Sequence, residues 1–274
     1  MFRKISPILL LAIVIAPAAA AFAQAPANGG QAKGTTDAEG IFNSISWTVG
    51  EGHAEIGDQA RINVPLGMRY TGRDGTQKML ELMHNPTYGT ELGLLTTNGF
   101  EWFLNFEFSD IGYIKDADKE KLDAEAILES IREGNEAGNE ARRERGWAPI
   151  NIVGWQTPPF YNKETNNLEW CIKGESEGRT IVNYNTRILG RGGVMSANLM
   201  VAPEKLAEVL LVVKQLLSGF SFIEGKRYAE WRSGDKIAKY GLTALVVGGA
   251  VGVAAKVGFL AKLGKLWKPI ILGL

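Results

Sequence analysis

The run Phe100-Glu101-Trp102-Phe103-Leu104-Asn105-Phe106-Glu107-Phe108 alternates apolar and polar side chains with a period of two. Phe100, Trp102, Leu104, Phe106 and Phe108 fall on one face, and Glu101, Asn105 and Glu107 on the other, with Phe103 as its one apolar exception. That pattern predicts a strand with one face on a core and the other toward water. Shorter β-patterned runs lie on both sides, at residues 45–49, 53–56, 61–64, 90–96 and 151–155, then at 168–173, 179–189, 194–201 and 219–223. Asn, Gly, Asp and Pro punctuate most of the gaps.

Across the segment Gly174 to Gly178, Leu168, Trp170 and Ile172 fall in phase with Val182, Tyr184 and Ile188. This predicts a hairpin that buries both even-numbered rows together. The opposite face would then carry Glu169, Lys173, Asn183, Asn185 and Arg187, a polar surface open to water or to a ligand. Two helices stand out. After Pro203, the residues Leu206, Val209, Leu210, Val213, Leu216 and Leu217 form one apolar stripe that Gly219 can close. The second, over 122–145, is apolar early, at Leu122, Ile127, Leu128 and Ile131, and then thins to a charged half that reads as a solvated, frayed arm. A shorter helix is expected near 76–84, stopping at Pro86. Strands dominate and no Gly-rich turn joins a strand to a helix in the βαβ manner, so the expected fold is α+β, a mostly antiparallel β-sheet with packed helices.

The ends read differently. Arg3 and Lys4, an apolar run from Ile8 to Ala16, and Ala21-Phe22-Ala23 make the three parts of a signal peptide over 1–23. Residues 24–40 have the composition of a flexible leader, and 41–232 would form the domain, followed by a juxtamembrane linker over 233–240. Residues 241–261 are nearly all Gly, Ala, Val and Leu, about 31 Å as a helix, which fits one transmembrane helix. Lys256 lies inside the span near enough to its end to snorkel. The tail over 262–274 carries Lys262, Lys265 and Lys268 around Trp267, the composition of a cytoplasmic membrane face. The expected localisation is a membrane, with the main domain on the extracytoplasmic side. Membrane lipid is the first partner; another envelope protein, or self-association through Gly248 and Gly252 in the helix, is the second.

Composition narrows the function. In 274 residues, 30 basic and 30 acidic side chains cancel, which removes the electrostatic case for a nucleic-acid partner. Cys171 is the only cysteine, so no intramolecular disulfide can form. His53 and His84 are the only histidines and supply neither a Cys/His zinc site nor a His-x-x-x-His pair, and no metal or cofactor is expected. Gly174-Glu175-Ser176-Glu177-Gly178 has the letters of a serine-hydrolase elbow, but β-pattern follows it and no histidine lies downstream, so it reads as a hairpin loop. Gly190-Arg191-Gly192-Gly193 reads as a turn between strands. Glu101 and Glu107 are about 20 Å apart along their strand, too far for a glycosidase pair. Trp155, Pro158, Pro159, Phe160, Tyr161 and Trp170 could wall a groove, although core and turn packing explains them too.

The blocks Val153-Gly154-Trp155, Leu168-Glu169-Trp170, residues 182–191 from Val182 to Arg191, Gly225-Lys226-Arg227-Tyr228 and Tyr240-Gly241-Leu242 resemble the bacterial family DUF2167. The resemblance implies a membrane-anchored bacterial protein of unknown activity and brings no catalytic residues with it. With no coherent catalytic set evident, the reading favours a membrane-tethered binding or regulatory module over an enzyme. Its candidate binding face is Trp155, Tyr161, Glu169, Asn183, Asn185, Arg187 and Arg191. The alternative is a carboxylate-dependent hydrolase acting on envelope carbohydrate or peptide.

Overall fold

The computed structural model describes residues 39–247, except 51, 117, 121 and 240. The expected signal peptide, residues 24–38 of the leader, residues 248–261 of the expected transmembrane helix and the tail lie outside the described residues. The strands are β1 (Thr48–Val49), β2 (Gly52–Ile56), β3 (Ala60–Val64), β4 (Met68–Gly72), β5 (Glu91–Thr97), β6 (Phe103–Ser109), β7 (Asn151–Asn162), β8 (Asn167–Ser176), β9 (Arg179–Leu189), β10 (Val194–Val201) and β11 (Ser221–Phe222). Eight of them form one sheet in the order β1-β4-β5-β6-β10-β9-β8-β7, with β11-β3-β2 as a smaller one. Every strand pair is antiparallel. Helices α1 (Arg73–Leu82), α2 (Ala124–Glu144), α3 (Leu206–Ser218) and α4 (Leu242–Val246) complete the α+β architecture that the residue pattern predicts.

Trp102, Leu104 and Phe106 enter one core with Val182 and Tyr184 of β9 and Met195, Ala197 and Leu199 of β10. The small sheet contributes Ile56, Ile62 and Val64, and the stripe Leu206, Val209, Val213 and Leu216 brings α3 onto the same layer. The other sheet face is covered as well, by two separate clusters. Phe103, Leu94 and Met200 pack under Met79 and Leu80 of α1, which accounts for the apolar exception at Phe103. Leu168, Trp170 and Ile172 pack under Ile127, Leu128 and Ile131 of α2. Phe100 leaves the expected strand: its φ is +56°, and its ring meets Phe42 and Trp47 in a turn before β6 begins.

The β8–β9 hairpin corrects the expected phase. Glu177 (φ +50°) and Gly178 (φ +72°) form a two-residue turn closed by the pair Ser176 and Arg179, the left-handed geometry of a type I′ turn. Trp170 then pairs with Asn185, and Ile172 with Asn183. Directly opposed residues share a face, so the even row of β8 lies with the odd row of β9. Val182 and Tyr184 therefore lie in the opposite core from Leu168, Trp170 and Ile172.

The second half of α2 is likewise docked rather than frayed. Asn139 accepts from Ile150 N at 2.8 Å and donates to Ile150 O at 2.9 Å, while Arg142 reaches Ala148 O at 2.6 Å. Polar side chains at helical spacing read a neighbouring backbone there, a contact that apolar periodicity does not register. The folded region also runs past residue 232, because Leu242, Leu245 and Val246 complete the cluster beneath α2. Among the described residues no helix is long and apolar enough to cross a membrane.

Candidate functional site

Between the apolar clusters under α1 and α2, the central strands β6, β10 and β9 present a polar belt. Register aligns two rows across them: Glu107, Ser196 and Arg187 in one, and Asn105, Asn198 and Asn185 in the other. Glu91 extends the first row as the partner of Glu107, because the ladder shifts between Glu91 and Gly93. One extra residue in a strand re-aims the side chains on either side of it.

The belt is wired through Asn198. Arg187 Nη1 donates to Asn198 Oδ1 at 2.8 Å, and Asn198 Nδ2 donates to Glu107 Oε1 at 3.3 Å. Asn105 Nδ2 donates to the same Oε1 at 2.7 Å, and the Thr90 hydroxyl reaches Oε2 at 3.4 Å. The Arg187 guanidinium also lies 4.7 Å from the centre of the Trp170 ring. Asn105, Asn183, Asn185, Arg187 and Ser196 are buried, whereas Glu107, Asn198, Thr90 and Tyr88 are half-buried and form the outer end of the belt. Burial pushes the Glu107 carboxyl up, opposed by Arg187 and reinforced by Glu91. Burial pushes Arg187 down to about 10, opposed by Glu107. Among the described residues, Asn105 Oδ1 and Trp170 Nε1 are buried with no hydrogen-bond partner.

Glu91 has a different task. Its Oε1 accepts from Tyr88 N at 2.6 Å, and its Oε2 accepts from Gly89 N at 2.8 Å and Gln77 Nε2 at 3.3 Å. The carboxylate thereby pins the turn that leads into β5.

Of the seven residues expected to form a binding face, Asn185 and Arg187 lie in the belt, and Asn183 lies one row beyond it, between Met200 of β10 and Ile172 of β8. Glu169 lies on the other sheet face, where it accepts from the Tyr184 hydroxyl at 2.6 Å. Trp155 donates to Ala124 O from the edge strand β7, and Tyr161 donates to Asn166 Oδ1. Arg191 sits in the turn after β9 and makes a two-pronged pair with Asp235, at 2.7 and 2.8 Å. It lines a pocket of about 360 Å³ with Phe108, Asp110, Lys226 and Lys236. Sequence reading missed Glu91, Ser196 and Asn198 and took Asn105 and Glu107 for a wet face. The available signal was Ser196 and Asn198 two residues apart in the otherwise apolar β10.

Two nucleophile candidates are occupied or muted. Ser176 donates to Pro149 O at 2.7 Å, and burial pushes the Cys171 thiol up to about 12. Among the described residues, no three His, Cys, Asp or Glu side chains group as metal ligands.

A family model described as a protein of unknown function, DUF2167, matches residues 48–274. No curated protein matches the chain. The solution structure of cyanobacterial PsbP (CyanoP) from Synechocystis sp. PCC 6803 matches at 13% identity, over 65% of this chain and 92% of that one. Its TM-score of 0.37 is too low to argue fold or function from.

Proposed function

We propose, from the premise that this chain belongs to the DUF2167 family of proteins of unknown function, that it is a membrane-tethered extracytoplasmic binding or regulatory module whose ligand engages the polar belt. The observation that carries this reading is the chain Arg187–Asn198–Glu107, buried at one end and half-open at the other. An apolar filling of the same volume is often as stable as a buried charge pair or more so. The opposite sheet face has such a filling, so stability alone is a weak reason for this belt. Charged groups shifted by burial and by one another gather at functional sites. The tether rests on the sequence, on the three-part signal peptide and on the apolar stretch past Val247. Because Leu242, Leu245 and Val246 of the expected 241–261 span pack in the domain core, residues 248–261 remain for the membrane, about 21 Å if helical, enough to enter it but short of a full crossing.

The test is a pull-down of the full chain from membranes in mild detergent, comparing wild type with Glu107→Gln and Asn198→Ala at the half-open end. A partner set lost in both variants is expected; an unchanged set would remove the belt as the binding surface. Carbonate washing tests the tether separately, since release into the soluble fraction would end it.

A second reading has one observation in its favour, the direct cross-strand pairing of Glu91 with Glu107. Glu91 is committed to backbone N–H groups, whereas Glu107 is held by the side chains of Asn105, Asn198 and Thr90 and is the carboxyl of the pair that acid–base work would use. Cleavage of envelope glycan or peptide by wild type, abolished in Glu107→Gln, would favour the hydrolase.

A further inference from the structure

After β11 the chain returns across the end of the large sheet as a strap. Gly190 bridges Arg227, Tyr113 bridges Ile237, and Arg191 clamps Asp235. The Tyr228 hydroxyl donates to Ile114 O at 2.9 Å, and Lys236 Nζ donates to Asp110 O at 2.8 Å. The strap is therefore fixed to the domain at several points. Tyr113 stacks on Tyr228 with ring centres 4.6 Å apart and meets Trp231 at 5.4 Å. Even so, Trp231 stays 38% exposed and Ile237 46% exposed.

The charges of the strap are sorted. Within residues 225–239, Glu230 accepts from Arg227 N, and Asp235 is held by Arg191 and Arg232 N, so the two acids of that segment are occupied locally; the exposed Glu224 precedes it. Arg232 and Lys239 are exposed and enter no ion pair among the described residues. Of the large or charged exposed side chains in that segment, those outside any ion pair are Trp231, Ile237, Arg232 and Lys239, while Arg227 and Lys236 pair with Glu230 and Asp110. Tryptophan with lysine and arginine is the composition that settles at the water interface of a bilayer. A few residues later α4 ends, and the sequence from Val247 to Ala261 is apolar apart from Lys256.

We infer that the strap face carrying Trp231, Ile237, Arg232 and Lys239 docks on an anionic bilayer surface, so that the domain is held in a fixed orientation against the membrane. The inference rests on the tether proposed above. A tethered domain meets its membrane at high effective concentration, so a small patch suffices to hold it.

The test uses the full chain in phosphatidylglycerol vesicles doped with bromine-labelled lipid. The contribution of Trp231 is isolated as the emission of wild type minus that of Trp231→Phe. Loss of that emission to the bromines is expected, together with protection from iodide added to the water. Both effects should weaken in neutral phosphatidylcholine vesicles at high salt and in Arg232→Glu with Lys239→Glu. Emission untouched by bromine and open to iodide would overturn the docking even if carbonate leaves the chain in the membrane. Protection from iodide without bromine quenching would also overturn it, in favour of a protein contact. If carbonate releases the chain, the tether fails alone; flotation with phosphatidylglycerol vesicles that is lost in Trp231→Ala would then still support the docking, and flotation unchanged in that variant would end it.

Discussion

The carboxyl of Glu107 lies where its charge is unfavourable, and the consequence has a definite sign. Burial raises its folded pKa above the unfolded value of about 4.3, so the native state binds more protons than the unfolded chain between those two values. Stability attributable to this group is complete below the unfolded value and declines as pH rises through the folded one. Glu107→Gln keeps an acceptor for Asn105 and Asn198 and removes the ionisation. The variant is expected to exceed wild type in urea midpoint at about pH 8 and to match it at about pH 3.5. A wild type that loses nothing over that range would show that Arg187 compensates the charge fully. At the same scale, Ser196 matters by being small: it separates Glu107 from Arg187 in their row and leaves the connection to Asn198 in the next row.

Helix α2 is held by two chemistries in sequence along its length. Its first half is an apolar stripe, Ile127, Leu128 and Ile131, on Trp170 and Ile172. Its second half is a polar stripe, with Asn135 and Asn139 on Ile150 and Arg142 on Ala148 and His84. Asn139→Ala would leave both the N–H and the carbonyl of Ile150 short of a partner, although Asn135 still donates to that carbonyl. The expected loss is about 2 kcal/mol in denaturant unfolding. Glu140→Ala, on the exposed side, should change stability by less than about 0.5 kcal/mol. Equal effects at the two positions would return the second half of α2 to a solvated arm.

Across the whole molecule, the Arg191–Asp235 clamp joins the turn after β9 to the strap that leads toward the apolar C-terminal stretch. Arg191 holds the Asp235 carboxyl down to about 2. Its contribution is therefore present above the unfolded value of about 3.9 and is lost as pH falls toward the folded one. Asp235→Asn is expected to speed amide hydrogen exchange across residues 225–239 while β8, β9 and β10 keep their protection, with the difference closing in acid. Slowed or unchanged exchange in the strap would show that the aromatic stack alone fixes it. The sequence by itself determined the period-two strands, the stripe of α3 and the antiparallel α+β class, because alternation and helical spacing are local consequences of backbone geometry. It also marked Asn183, Asn185 and Arg187 as one polar row. Only the tertiary structure decided what that row meets. The two-residue turn at Glu177 and Gly178 set which row of β8 it shares, the shift at Glu91 set its far neighbour, and the order β6-β10-β9 brought Glu107 and Asn198 beside it. Register and strand order join residues far apart in the chain, and a one-residue slip sends a whole row to the opposite face. Periodicity within one strand therefore shows that a polar face exists, and pairing between strands determines what that face contains.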